Sequence, residues 1–196
     1  MFKSNGFSRD THEEHLQRCE LCVQGMETYE VELSFRHSWT TGMADHALSF
    51  KDILNAQNIE DAEWRGAVTA LSTARDALYA FNSSARWMVK TIIDDPDMPS
   101  GDRRLIDEAF DIDDKLSKGF FNLTKNTRRL LHGQEKLLAI GAPWMLPDVM
   151  IDNLTDALAL MEELADSAQK EHGEKLKSTE DVYSAREIGE NLLRNI

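Results

Sequence analysis

The sequence predicts an all-α fold: an elongated antiparallel up-and-down four-helix bundle with a short additional C-terminal helix. Three observations carry this. Apolar residues recur three and four apart along most of the 196 residues, the period of an amphipathic helix. No alternating, β-branched run suggests a strand. The four prolines, at 96, 99, 143 and 147, fall in two clusters, DDPDMPSGD and GAPWMLPD, which leave long uninterrupted stretches on either side.

The first helix is expected to begin near Asp10, with Asp10 as cap and Glu13 three residues on. Its stripe is Leu16, Cys19, Val23, Met26 and Leu33, and it ends between His37 and Gly42. A shorter helical segment covers Asp45 to Ala56. The second long helix covers Glu60 to Ile93, with Trp64, Val68, Leu71, Leu78, Phe81, Met88 and Ile92 inward, and stops at Pro96 and Pro99. The third covers Asp102 to Ile140, with Ile106, Phe110, Leu116, Phe120, Leu123, Leu130 and Leu137 inward and Gly141 and Pro143 as stop signals. The fourth opens at Pro147, a residue suited to a first helical turn, and follows a seam of Met150, Leu154, Ala157, Met161, Leu164 and Ala168 as far as Gly173. The last covers Thr179 to Asn195. Helices of about thirty residues are roughly 45 Å long, and short connections make neighbours antiparallel. One helical domain spans 1–196, with residues 1–9 flexible and 173–178 a polar linker.

Composition narrows the function. Hydrophobic residues make up 41% and charged residues 29%, a globular mixture, and the net charge is −13. That acidity argues against a nucleic-acid-binding surface over the whole molecule, which needs an excess of Lys and Arg. The start, MFKSNGFSRDTHEEH, has no apolar core of a signal peptide. The longest run without Asp, Glu, Lys or Arg, Leu137 to Pro147, is far short of the roughly twenty residues a membrane span needs. The expectation is a cytoplasmic protein that does not enter membranes.

The stretch THEEHLQRCELC, residues 11–22, holds His12, His15, Cys19 and Cys22. On a helix these four fall within an arc of about 80°. His12 and Cys22 are also about 15 Å apart along the axis, so one ion cannot take all four. An i, i+3 or i, i+4 pair can supply two ligands to zinc, and the rest must come from His46, His37 or a second chain. The competing reading is packing, because the same face continues into Met26 and Leu33, and a free cysteine behaves as a small buried hydrophobe.

Other hooks are thinner. No histidine has Glu three residues before it, so the di-iron bundle pattern is missing. The acidic clusters with Glu108 and Asp111, and with Glu163 and Asp166, resemble the magnesium-binding motifs of helical nucleotide pyrophosphatases, but the Glu-Glu-x-x-Glu motif of that family is absent. From Lys115 to Gln134 there are five basic residues and no acid, and Arg128 and His132 share a face. This pair is similar to the Arg…His pair of the HEPN class of helical ribonucleases and toxins, with three residues between where that class has four to six. The resemblance implies an RNA-acting enzyme using Arg128 and His132. From Leu137 to Gln169 there are six acids and no base. An antiparallel neighbour would therefore pair basic and acidic stripes, each exposed pair contributing ~0.2–1 kcal/mol.

The loop GAPWML offers Trp144, Met145 and Leu146 as a partner-binding knob or as a plug for the bundle end. No phosphate loop, nucleophile elbow or complete catalytic set is present. The sequence is therefore read as a non-catalytic interaction or regulatory protein. Its partner is another protein or a second copy, with Ile151, Leu158 and Ala165 as a second apolar edge for association. The alternatives are the RNA-acting enzyme and the zinc-binding bundle.

Overall fold

A computed structural model describes residues 11–29, 37–112 and 115–195. Among them are five α-helices and no strand: α1 (His12–Thr28), α2 (His37–Ile93), α3 (Ser100–Phe110), α4 (Phe120–Ala139) and α5 (Asp148–Arg194). The all-α expectation holds. None of these helices is long and apolar enough to cross a membrane. The flexible segment expected at 1–9, the Asp10 cap and Leu33 lie outside the described residues.

Several boundaries differ from those read in the sequence, each for a physical reason. α1 is capped by Thr11, not by the Asp10–Glu13 pair. The Thr11 hydroxyl accepts from the Glu14 amide at 3.2 Å, and the Thr11 amide donates to the Glu14 carboxylate at 2.6 Å. The separate segment expected at 45–56 is part of α2, because no proline or cap interrupts 37–93. The third helix is broken in two. α3 ends at Asp111 in the left-handed region, φ 45°, which aspartate tolerates better than most residues. The carboxylate of Asp111 at this end is also unfavourable beside the negative end of the α3 dipole.

The linker expected at 173–178 is helical, within α5. Glu, Lys and Leu around it are good helix formers, and one interior glycine costs only about 1 kcal/mol. Lys175 pairs with Asp61 at 2.9 Å, and Thr179 accepts from the Gln57 amide at 3.4 Å. The expected short final helix is therefore the end of α5.

The chain divides into two compact units, 1–65 with 170–196, and 66–169. In the first, Cys19, Met26, Met43 and Ala47 form one buried cluster, and Phe50, Leu54, Val182 and Ala185 form another. In the second, Leu78, Val89, Ile106, Phe110, Leu123, Leu130, Leu137, Leu154 and Met161 are among one larger core. That core also carries a polar seam. Asn82 donates to the Thr127 hydroxyl at 2.9 Å, and Arg86 donates to Asn126 at 2.8 Å and to the Ile112 carbonyl. These bonds hold α4 and Ile112 against α2.

Candidate metal centre

α1 places His15 and Cys19 one turn apart, and α2 brings His46 to them. A ring nitrogen of each histidine and the Cys19 Sγ all lie within 4.8 Å of one another. His15 Nε2 stands 3.7 Å from Cys19 Sγ. Two donors at about 2.0 and 2.3 Å from one tetrahedral ion stand close to that far apart. His15 and Cys19 are fully buried and His46 nearly so. The hydrophobic surroundings are Met26, Met43 and Ala47 on one side and Phe50 on the other, whose ring meets His15 edge-on at 5.0 Å.

α5 closes the site through a residue with no side chain. A Cβ on Gly189 would lie 2.1 Å from His46 Nε2 and 2.5 Å from His15 Nε2. Both imidazoles thus aim into space that only glycine leaves free. His46 Nε2 is buried and has no hydrogen-bond partner among the described residues. A buried imidazole nitrogen without a partner costs free energy unless something binds it.

The electrostatics fit neutral nitrogen ligands. Burial holds His15 down, to about 4, and Arg18, Arg186 and His46 add repulsion against a proton, opposed by Glu190. Burial lowers His46 as well. Both rings are therefore neutral, not cationic, at neutral pH. Burial pushes the Cys19 thiol up to about 11, so only a bound cation would draw out its proton.

Arg18 Nη2 lies 3.3 Å from His15 Nδ1. A guanidinium only donates, so Nδ1 accepts and the ring proton sits on Nε2. An ion on Nε2 would shift that proton to Nδ1, and the contact with Arg18 would open.

The four residues singled out in the sequence thus separate. His15 and Cys19 belong to the site. His12 does not join it: its ring packs edge-on to Tyr183 at 5.2 Å and Phe50 at 6.4 Å. Cys22 is half-buried against the cluster that contains Cys19, outside the ligand trio. His46 was one of the ligands the spacing required from elsewhere. His37 opens α2, and its side chain is outside what is described. Gly189 had no sequence signal, since its role is set by what α5 packs against.

In the second unit Arg128 and His132 lie on one side of a groove of about 570 Å³ with Phe120, Phe121, Lys125 and Glu162. Arg128 donates to Glu162 at 2.8 Å, the basic-to-acidic pairing expected between antiparallel neighbours. His132 Nδ1 is 3.4 Å from Glu135, and both side chains are mostly exposed. Of Trp144, Met145 and Leu146, Met145 is exposed and Trp144 partly so. Leu146 is buried, with its amide and carbonyl both held by Gln134 at 3.0 and 3.1 Å, and Trp144 packs on the core. Leu158 is buried, while Ile151 and Ala165 are partly exposed, Ile151 packing against the same core.

No family model, no curated protein and no solved structure matches this chain.

Proposed function

We propose that this chain is a non-catalytic, metal-dependent helical protein. His15, Cys19 and His46 hold one zinc ion, which ties α1 to α2 beside the C-terminal part of α5. The unit pinned in this way acts through contacts with other proteins. The observation that carries the reading is the convergence of His46, from a second helix, on a pair of ligands one turn apart in α1. A packing stripe alone has no need of a third ligand-type side chain there, or of glycine at the position facing it.

Two nitrogens and one thiolate suit zinc better than magnesium or calcium, which take oxygen ligands. Three protein ligands leave the fourth tetrahedral position to water or a further donor, and the full burial of His15 and Cys19 favours an ion that does not meet substrates. A reduced Cys19 fits a reducing compartment such as the cytoplasm. The acidic surface suits solubility and basic or zwitterionic partners.

The test is elemental analysis of untagged protein prepared without chelator, for wild type and for H46A. Wild type is expected to carry about one zinc per chain, and H46A a small fraction of that. Equal and negligible metal in both would remove the reading and leave the trio as core packing.

A further inference from the structure

The exposed face of α4 has a reversed symmetry. Phe121, Lys125, Arg128, His132, Glu135 and Leu138 are all exposed, three or four residues apart, and so form one stripe. The stripe is about 26 Å long at 1.5 Å per residue. Its first half is aromatic and basic, and its second half is acidic and aliphatic. Phe121 is 81% exposed and Leu138 65%, so each end carries a large apolar side chain in water. Beyond the second end, Asp148 and Asp152 line a further groove with Leu138, Met145 and Ile151.

We propose that this face is the contact between two copies of the chain, with the two α4 helices antiparallel across a two-fold axis. In that register Lys125 of one copy meets Glu135 of the other, twice. Leu138 of each copy lies over Phe121 of the other, at the mouth of the groove between Phe120, Phe121 and Glu162. Arg128 and His132 of the two copies meet at the axis, where Glu162, already 2.8 Å from Arg128, keeps the guanidinium compensated. An isologous interface needs a patch that is its own complement, and a helix face whose charge reverses about its midpoint is one.

The charge of the whole chain favours this face over others. Two molecules at −13 repel each other across most of their surfaces. Association is helped where a basic group meets an acidic one, and the first half of the stripe supplies Lys125 and Arg128. A second copy brings its Glu135 to Lys125, and the two-fold axis repeats the pair.

Sedimentation equilibrium tests this on the full chain, with circular dichroism checking that each variant keeps its helicity. Wild type is expected to be dimeric in the micromolar range. K125E and E135K should each weaken the dimer at least tenfold, and the double variant K125E/E135K should restore it to near wild type. A wild type that stays monomeric into the high micromolar range would overturn the proposal, as would a dimer indifferent to both single charge reversals. A monomer that instead binds a labelled single-stranded oligonucleotide through Lys125 and Arg128 would also overturn it and assign the face to nucleic acid.

Discussion

A Cβ at position 189 would fall between two imidazole nitrogens that belong to other helices. Position 189 is thus constrained by having no side chain, and nothing within α5 records that. The opposite holds for His15 and Cys19. Their i, i+4 spacing is visible in the sequence, and the helix brings both to the buried face. His46 stood between the two cases, a ligand type whose convergence depended on how α2 packs.

The same residues set the response of the metal-free chain to pH. His15 titrates near 6.5 when unfolded and near 4 when buried. Between those values the unfolded chain takes up a proton that the fold refuses. Stability is therefore complete above about 6.5 and falls as pH drops toward 4, on the order of 3 kcal/mol for this one ring. His46 and His12 shift in the same direction, so they add to the loss. Cys19 acts at the other end: burial pushes its thiol up to about 11, from an ordinary 9.0. Stability falls again as pH rises from about 9 to 11. Urea unfolding of the chelator-treated protein should give its highest midpoint between pH 7 and 9, and lower ones at pH 5 and pH 10.5. An unchanged midpoint from pH 8 to pH 5 would mean that His15 is not buried as described.

Among the elements, helix type was legible and helix ends were not. The 3–4 periodicity exists whether a stretch is one helix or two, so boundaries rest on local breakers, and these have unequal strength. Pro96 and Pro99 removed backbone donors and ended α2 near the expected place. Gly173 only raised the local cost of helix, and flanking helix formers together with Lys175–Asp61 carried α5 through it. Asp111 ended α3 without any proline, through a left-handed backbone angle that no periodicity reveals.

Glycines at two positions should therefore answer oppositely to alanine. A Cβ at Gly173 meets no atom within 4 Å, so G173A should stabilise the chain by about 0.5–1 kcal/mol as an interior helix position. A Cβ at Gly133 would stand 2.6 Å from the Phe110 ring and 2.8 Å from the Ala109 carbonyl, where α4 crosses α3. G133A should cost about 1–3 kcal/mol as an overpacked contact. Thermal unfolding of the two variants decides it. A destabilised G173A would restore the expected linker at 173–178.

At the scale of the whole molecule, class and charge could be read early, and function only in part. Composition excluded a uniformly basic surface, and it directed attention to residues 115–134, with five bases and no acid, of which α4 displays Lys125 and Arg128 on an exposed stripe. The division into two compact units escaped notice because α2 and α5 each supply residues to both, leaving no polar or proline-rich boundary in the sequence. The functional account concentrates in the unit made of residues 1–65 and 170–196. There, three buried side chains of metal-binding type meet beside a glycine. The acidic trio of the same unit, Glu60, Glu63 and Glu171, has hard oxygen donors and lies in more exposed surroundings, as a solvated face would.

Cobalt titration separates ligands from neighbours most directly, because a thiolate bound to cobalt gives a charge-transfer absorption that a packed thiol does not. Wild type and C22S are predicted to develop that absorption with an endpoint of one cobalt per chain, and zinc is predicted to abolish it. C19S should show none of it while keeping its helical circular dichroism. A cobalt spectrum identical in C19S and wild type, or lost in C22S and retained in C19S, would contradict the assignment of His15, Cys19 and His46 as the metal centre.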